Sequence, residues 1–319
     1  MTGFRDWLAC PACRGGLSNE WECGGCGARF ESADGIPNLR LEGSTRTDAV
    51  RAFYDRAPFP GYPPHDNLAA FRAAAERNRF VQLLDRAIAP DATIAEVGCG
   101  TGQMFLFLAR SDRTVIAVDL SRASLQLGAA AALRYGIDRV LFVESDLHQS
   151  GLKPGAFDVV YCSGVLHHTP DSRRAFRAVA DLVRPDGILI VGVYNRVARI
   201  PLRIRRAIAR STGFRWVPFD PVLRSRRLEP DRYGAWLRDQ YRHPAERSHT
   251  IGEVVEWFDE SGMDFLRCFP STVLDDDSRE LFTAAPDDWA LERWIAQLAW
   301  TVTLGREGGL FFSIGRRRT

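Results

Sequence analysis

A glycine-rich turn carries the strongest chemical signal in this sequence of 319 residues. In residues 94–103 an apolar strand leads into three alternate glycines, Gly98, Gly100 and Gly102, and then into a helix. Glycine tolerates positive φ and lets a ligand touch the backbone, and the free N–H groups of the helix N-terminus attract an anion. Gln103 stands where the dinucleotide fingerprint needs a third small residue, which weakens a nicotinamide-dinucleotide interpretation.

An acidic residue complements this turn. Asp119 ends the next predicted strand, 21 residues after Gly98. A carboxylate at that place and distance accepts hydrogen bonds from both hydroxyls of a ribose. The turn and the acid together predict a nucleoside-binding site, and a glycine turn of some other Rossmann-like protein is the alternative.

Four cysteines near the N-terminus have the spacing of metal ligands. Cys10 and Cys13 form one C-x-x-C pair, and Cys23 and Cys26 form the second, nine residues later. Each pair can chelate from a tight turn, and four thiolates complete a closed tetrahedral zinc site, which we expect to be structural. Two loose thiol pairs or a redox pair are the alternative. The other cysteines stand in apolar strand contexts and are expected to be packing residues: Cys99, Cys162 and Cys268.

A parallel α/β sheet would bring these residues together. From about residue 66 to 195, helical patterns alternate with short runs of Val, Ile and Leu, which indicates βαβ units. Strands are predicted at 94–97, 115–119, 140–143, 159–162, 188–193, 264–269 and 310–315. Helices are predicted at 67–88, 104–110, 121–135, 173–182 and 251–260. The expected fold is a doubly wound, mostly parallel, seven-stranded Rossmann-like sheet.

The chain resembles the class I S-adenosylmethionine-dependent methyltransferases over about residues 50–195, and more weakly over 250–270 and 309–316. Residues 96–102 look like the first motif of that family, and Asp119 looks like its ribose-binding acid. Three further segments extend the resemblance. Residues 145–147 are similar to the adenine-contacting turn of the family, 157–168 to its fourth motif, and 182–189 to the entry of its fifth strand.

The resemblance implies S-adenosylmethionine as cofactor, with adenine meeting Asp146. It implies a set of cofactor contacts: Glu96, Gly98, Cys99, Gly100, Gly102, Asp119, Leu120, Asp146, Leu147 and Ser163. In similar methyltransferases the aromatic, Pro- and Gly-containing segment 53–62 closes over the cofactor, and Tyr54 is the predicted contact there. A plain linker on the domain surface is the alternative.

Two histidines follow the fourth predicted strand, on the substrate edge of the sheet. A sulfonium methyl is intrinsically electrophilic, so in-line positioning of the acceptor can supply about 7–11 kcal/mol of the barrier. A base is needed only if the attacking atom carries a proton, and histidine titrates near neutrality. We predict His168, and then His167, as that base; the alternative is that the pair only packs and hydrogen-bonds in its turn.

The chain divides into three predicted regions. Residues 1–42 resemble the short zinc ribbon found alone and fused ahead of methyltransferases. Residues 43–65 are expected to link the ribbon to the next domain and to cover the cofactor. Residues 66–319 form the predicted methyltransferase domain with insertions at 196–247 and 271–308, and both insertions are candidate lids over the ligand-binding edge.

The first insertion contains 14 arginines and five acidic residues, a net charge of +9. Its residues 199–210 form a predicted amphipathic helix with one apolar stripe: Ile200, Ile204, Ala207 and Ile208. Such a helix could bind phosphates, an acidic partner or a membrane surface. The alternative is a lid helix packed on the domain with solvated arginines. The second insertion contains an amphipathic stretch at 289–304.

Composition narrows the function classes. The formal net charge of +2 gives no overall attraction to nucleic acid or membrane. With no apolar run of about 18 residues and no secretory signal at the start, we expect no integral membrane contact and a cytoplasmic location.

The leading prediction is methylation of a small metabolite or natural-product intermediate under the 196–247 lid. RNA methylation is the alternative, a non-catalytic cofactor-sensing or scaffolding protein is the third hypothesis, and no oligomeric state is predicted.

Overall fold

A computed structural model of the chain describes residues 2–41, 51, 52, 55, 58, 61, 62, 67–213, 216, 217, 219, 220, 223, 241, 246–273, 276, 279–286, 289–304 and 308–319. The predicted cofactor contact Tyr54 lies outside the described residues. So do most of segment 43–65 and residues 224–240 of the first insertion.

Seven strands form one sheet: β3 (Thr93–Val97), β4 (Thr114–Asp119), β5 (Val140–Glu144), β6 (Phe157–Ser163), β7 (Val183–Tyr194), β8 (Met263–Phe269) and β9 (Leu310–Arg317). Their order in the sheet is β5-β4-β3-β6-β7-β9-β8. Neighbours from β5 to β7 are parallel, and β9 runs antiparallel to both β7 and β8. The predicted α/β class with a mostly parallel, seven-stranded Rossmann-like sheet is confirmed.

Both faces of the sheet are buried, which explains why its strands are continuously apolar. In β3, Ala95 and Val97 join one apolar cluster and Ile94 joins the cluster on the opposite face. Helices cover these faces: α1 (Leu68–Ala75), α2 (Arg79–Ala87), α3 (Gln103–Leu108), α4 (Arg122–Tyr135), α5 (Ser172–Ala180) and α7 (Ile251–Glu260).

The single helix predicted over 67–88 is wrong, because the chain forms α1 and α2 there. The break falls at residues 76–78. The Asn78 side chain accepts hydrogen bonds from the backbone N–H groups of Phe80 (2.9 Å) and Val81 (3.3 Å) and so begins α2. A short amide side chain competes with helical hydrogen bonding in this way and favours the cap position.

The N-terminal residues pack against the sheet domain through backbone hydrogen bonds. A short antiparallel pair, β1 (Ser32–Ala33) and β2 (Ile36–Pro37), precedes Leu39, whose N–H donates to the Glu144 carbonyl at the end of β5 (2.8 Å). The Ala9 N–H donates to the Gly151 carbonyl (3.0 Å). A Cβ at Gly151 would lie 2.4 Å from Leu39 Cδ1, so glycine is required for this approach. The cysteine-rich segment is thereby fixed against the loop that follows β5.

Each insertion contributes one described helix at the carboxyl end of β7. Helix α6 (Ile200–Ser211) follows β7, and α8 (Ala290–Thr303) precedes β9, whose Leu310 pairs with Tyr194. The Asn195 Nδ2 atom donates to Gln297 Oε1 of α8 (2.9 Å). Among the described helices none is both long and apolar enough to cross a bilayer.

Candidate cofactor and acceptor site

The glycine turn lies where the strand order reverses between β3 and β6, which is the place where open α/β sheets bind ligands. All three glycines have positive φ: 73° at Gly98, 54° at Gly100 and 78° at Gly102. The N–H groups of Gly98 and Cys99 donate to the Val118 carbonyl of β4 (2.7 and 3.0 Å). The turn is therefore folded back on the sheet, and α3 begins directly behind it.

Replacing Gly98 by alanine should be far more damaging than replacing a glycine that only needs positive φ. A Cβ at Gly98 would lie 2.1 Å from Val165 Cγ2, whereas Gly136 (φ 65°) has no atom within 4 Å of that position. We expect Gly98→Ala to lower the free energy of unfolding by about 2–4 kcal/mol and Gly136→Ala by about 1–2 kcal/mol, measured by urea denaturation. Equal losses would show that contact with Val165 is unimportant.

Asp119 faces the glycine turn from the end of β4. Its Oδ2 accepts from the Gly100 N–H and its Oδ1 from the Ser121 N–H, both at 2.8 Å. Burial raises the pKa of Asp119 above its ordinary value, whereas these backbone donors act in the opposite direction. The carboxylate thus already orders the turn, and each oxygen keeps a lone pair for a further donor such as a ribose hydroxyl.

Glu96 provides a second, buried carboxylate at the foot of the turn. Its Oε2 has no hydrogen-bond partner among the described residues. Burial raises the pKa of Glu96 to about 8, while the Phe105 N–H lowers it and the Asp119 carboxylate raises it further. A buried acceptor left without a donor is costly, and a ligand ammonium group would satisfy it.

Replacing Glu96 by glutamine should separate stability from ligand binding. A carboxyl whose folded pKa is raised from 4.5 to about 8 loses stability for the protein as pH rises between these values. Glu96→Gln removes that loss, so its melting temperature without cofactor should exceed that of the wild type increasingly from about pH 5 to about pH 8.

The same variant should bind S-adenosylhomocysteine about tenfold more weakly in calorimetry, because an amide offers no charge to an ammonium group. The prediction fails if melting temperatures stay equal across the pH range while affinity is unchanged.

The turn after β5 carries the residues predicted to meet adenine. Asp146 accepts from the His148 N–H (2.8 Å) and starts a single 3-10 turn at Leu147, which is buried. Ser145 Oγ donates to the Leu39 carbonyl (3.1 Å) and accepts from the Gly151 N–H (3.0 Å). This turn is therefore held from behind by the N-terminal segment.

The predicted covering segment contacts the glycine turn at its described residues. Tyr62 Oη donates to the Thr101 carbonyl (2.8 Å), Gln103 Nε2 donates to the Gly61 carbonyl (3.0 Å), and Ser121 Oγ donates to Asp55 (2.7 Å). Tyr62 was not singled out from the sequence. Its position at the end of the aromatic, Pro- and Gly-containing run was the available signal.

The two predicted histidines lie in a 3-10 turn, Leu166–His168, directly after β6. His167 is fully buried, and His168 keeps 8% of its surface accessible. The ring centroid of His167 lies 4.3 Å from that of His168 and 3.9 Å from that of Tyr194. His168 is thus the more accessible of the pair, at the carboxyl end of the strand beside the glycine turn.

A buried arginine at the start of the first insertion contacts Tyr194 next to the two histidines. The Arg199 guanidinium lies 3.7 Å from the Tyr194 ring centroid. It pairs with Glu246 (2.7 Å), and the two side chains are 1% and 8% exposed. Arg199 stands beside the predicted apolar stripe in the sequence, and the structure buries its side chain between Tyr194 and Glu246.

The remaining predicted cofactor residues surround the same crevice. Cys99 is buried in the turn, and Leu120 is half-buried beside Asp119. Ser163 ends β6 and is half-buried, and a Cβ at Gly192 would lie 2.4 Å from its Oγ. Two cavities of about 500 and 330 Å³ lie away from the glycine turn, one lined by Arg14, Leu147 and Arg317 and the other under α8.

The four N-terminal cysteines form a separate cluster. Their sulfur atoms all lie within 4.8 Å of one another, with Cys10 and Cys26 at 3.8 Å and Cys13 and Cys23 at 3.4 Å. A tetrahedral zinc ion with Zn–S distances of about 2.3 Å separates its sulfurs by about 3.8 Å, which fits this group. The distances exceed a disulfide bond of about 2.05 Å.

Comparison with known proteins agrees with this geometry. Residues 95–191 match the family described as a methyltransferase domain. An uncharacterized protein of Synechococcus sp. is 30% identical over 247 residues, 69% of this chain and 59% of that protein. The ubiquinone biosynthesis O-methyltransferase of Xanthomonas campestris is 29% identical over 154 residues, 48% of this chain and 63% of that protein. The chain spans about three fifths of the length of these relatives.

Among solved structures, the crystal structure of the 4+2 cyclase SpnF matches with a TM-score of 0.50 and 19% identity, over 90% of this chain and all of that one. This likeness concerns the fold alone. Together, the family match and the sheet order show a methyltransferase domain at residues 95–191 on a Rossmann-like α/β fold.

Proposed function

We propose that this protein transfers the methyl group of S-adenosylmethionine to a small-molecule acceptor. The single observation that carries the proposal is the crevice at the ends of β3 and β4, where three positive-φ glycines face the Asp119 carboxylate and the partnerless Glu96 Oε2. These groups match a ligand with a nucleoside at one end and an ammonium group at the other. The named relative in ubiquinone biosynthesis supports a small-molecule acceptor.

In this proposal each chain residue has a defined task. Asp119 accepts hydrogen bonds from the ribose hydroxyls, and Glu96 accepts from the ammonium group. Asp146 and Leu147 contact the adenine, while the backbone of Gly98, Cys99, Gly100 and Gly102 approaches the rest of the cofactor, and Leu120, Ser163 and Tyr54 complete its surroundings. The bound cofactor supplies an electrophilic methyl group on a sulfonium centre.

His168 is the proposed base for an acceptor whose attacking atom carries a proton. Its imidazole would take that proton as the new bond to the methyl carbon forms, and the His167 ring packs edge to face against it and contacts Tyr194. General-base catalysis of this kind contributes about 10²–10⁴-fold.

Replacing His168 by glutamine should therefore lower kcat by at least about a hundredfold on an identified hydroxyl acceptor. Affinity for S-adenosylhomocysteine should stay within about twofold, because the side chain contacts the acceptor and not the cofactor. Steady-state kinetics and calorimetry measure the two quantities. Wild-type turnover in His168→Gln would remove the base assignment and leave the binding assignments intact.

We also propose that the cysteine cluster holds a structural zinc ion, in a ribbon comprising residues 1–42 ahead of a methyltransferase domain at 66–319. Four thiolates occupy every position of a tetrahedral ion, so no site remains for a substrate or water. The ion would stabilise a segment too small to bury its own core.

A labelled-methyl screen tests the proposed function. The protein is incubated with cofactor labelled in its methyl group and with cell extract separated into small-molecule and RNA fractions. We expect label in the small-molecule fraction. Label in RNA alone would favour the alternative acceptor, and tight cofactor binding with no transfer to either fraction would favour a cofactor-sensing or scaffolding protein.

A further inference from the structure

The two insertions expose far more apolar surface than the rest of the molecule. Among the described residues, 12 large apolar side chains are exposed, and ten of them lie within 196–247 or 271–308. The ten are Ile200, Ile204, Trp216, Phe219, Trp289, Leu291, Trp294, Ile295, Leu298 and Val302. Such clusters on a soluble surface mark interaction sites, whereas single exposed apolar residues do not.

Helix α8 has an apolar stripe along its solvent side. The stripe consists of Leu291, Trp294, Ile295, Leu298 and Val302, whose spacing places them on one helix face, and Val302 is 84% exposed. The opposite face is buried through Gln297, Trp300 and Leu304. A mainly apolar groove of about 330 Å³ between α8 and residues 270–273 adjoins the stripe at Ile295. The helix thus presents an apolar face to solvent over nearly its whole length.

Helix α6 also exposes apolar side chains to solvent. Its buried residues Leu202 and Ala209 pack with Tyr241 of the same insertion, and Ile200 and Ile204 of its predicted apolar stripe are 46% and 57% exposed. Arg203 and Arg210 are exposed and make no ion pair within the described part of the chain. A lid helix packed on the domain would bury Ile200 and Ile204. In this helix both side chains are exposed to solvent, as are Arg203 and Arg210.

Helix α6 begins, and helix α8 ends, near one point of the fold. Tyr194 at the end of β7 pairs with Leu310 at the start of β9, so α6 leaves and α8 returns at the same edge of the sheet. The Arg199 guanidinium at the start of α6 donates to the Gly308 carbonyl after α8. The apolar side chains and the arginines therefore occupy one end of the molecule.

We propose that helices α6 and α8 form a docking surface for an anionic lipid bilayer. The α8 stripe and Ile200 and Ile204 of α6 enter the interface between headgroups and acyl chains, and Arg203 and Arg210 contact the lipid phosphates. Tryptophan and large aliphatic residues on one face with arginine beside them are the composition of helices that lie in a membrane interface. Anionic headgroups add attraction for each arginine near the surface.

Charge favours a bilayer over a second copy of the chain. The first insertion carries a net charge of +9, and the second, with three arginines and eight acidic residues, a net charge of −5. The exposed Arg203 and Arg210 lie on the same helix as Ile200 and Ile204 and are complementary to an anionic bilayer, whereas pairing α6 with its own copy would place these arginines together. Six of the eight acidic residues of the second insertion precede α8, at 275–288.

Vesicle sedimentation tests the proposal with the full chain. Vesicles of phosphatidylcholine are compared with vesicles in which part of that lipid is replaced by phosphatidylglycerol. We expect binding to the anionic vesicles that is at least about tenfold tighter than to the neutral ones and that weakens with added salt. Binding to neither vesicle, or equal binding to both, would overturn the proposal.

Matched variants assign the binding to the two helices. Leu298→Ser removes a stripe residue, and its control Leu133→Ser changes a leucine of α4 that is 84% exposed outside the insertions. Arg203→Gln combined with Arg210→Gln removes two arginines of α6, and Arg86→Gln on α2 is its control. We expect Leu298→Ser to weaken partitioning about tenfold and the double arginine variant to weaken it only on anionic vesicles.

Each control should bind as the wild type does, and calorimetry with S-adenosylhomocysteine should show unchanged cofactor affinity in every variant. Equal weakening by Leu298→Ser and Leu133→Ser would overturn the assignment. So would a dimer in analytical ultracentrifugation that Leu298→Ser dissociates without any change in vesicle binding. Salt-sensitive capture of RNA in place of vesicles would overturn it as well.

Discussion

Replacing Asp119 by alanine is expected to weaken S-adenosylhomocysteine binding by at least about a hundredfold. The carboxylate would lose its hydrogen bonds to the ribose, each worth about 1.5–3 kcal/mol when one partner is charged, and every 1.4 kcal/mol is a factor of ten. The loss includes a second contribution, because Asp119 also accepts from the Gly100 and Ser121 N–H groups at 2.8 Å and so orders the glycine turn.

Isothermal titration calorimetry measures this loss. The matched control is Asp112→Asn, which changes an 83% exposed aspartate before the opposite end of β4. It should leave the affinity unchanged. If Asp119→Ala bound the ligand as tightly as the wild type, Asp119 would not contact the ribose, and the site would have to be placed elsewhere along the sheet.

The second large effect is expected from removing two of the clustered cysteines. Cys10→Ser combined with Cys23→Ser should abolish bound zinc, because two of the four sulfur ligands are lost and a hydroxyl binds zinc poorly. The melting temperature should fall by about 10 °C, since metal binding supplies several kcal/mol of folding free energy in such small sites.

Elemental analysis and thermal denaturation provide the measurements. Cys268→Ser is the control, because that buried thiol lies 3.7 Å from Ser313 Oγ and outside the cluster. It should keep a full equivalent of metal. A double variant that retained zinc would dismiss the cluster as a metal site.

The double variant Cys10→Ser with Cys23→Ser should also bind S-adenosylhomocysteine more weakly than the wild type, although these cysteines do not line the cofactor crevice. The N-terminal segment contacts the turn after β5 through Leu39 and Ala9, and Ser145 Oγ bonds directly to the Leu39 carbonyl. If affinity stayed unchanged while zinc was lost, the segment would support the turn without the metal.

The sheet was predictable because its strands must be apolar on both faces. Residues such as Ile94, Val97 and Val118 could belong only to buried parallel strands, and the glycine turn follows from the same alternation of elements. The break between α1 and α2 was not predictable from periodicity. The apolar spacing continues across residues 76–78, and the Asn78 side chain, in its cap geometry, starts a second helix there.

The candidate site also has parts that the sequence predicts and parts that it does not. Local motifs predicted the positions of Asp119, Glu96 and the histidine turn, since the two acids lie at the ends of β4 and β3 and the turn follows β6. Contacts between distant segments were out of reach: Tyr62 with Thr101, Leu39 with Gly151, and Arg199 with Tyr194 join residues that no local pattern connects. Periodicity likewise identified α6 as amphipathic but could not say that its isoleucines face outward, because helix spacing is the same for either orientation.

The buried Arg199 has a mechanical consequence for the molecule. Its guanidinium is fixed on three sides, by the Tyr194 ring, the Glu246 carboxylate and the Gly308 carbonyl, and Tyr194 in turn stacks on His167. A continuous series of side-chain contacts therefore links the base of both insertions to the histidine turn. We expect a movement of α6 or α8 to change the position of the imidazole pair.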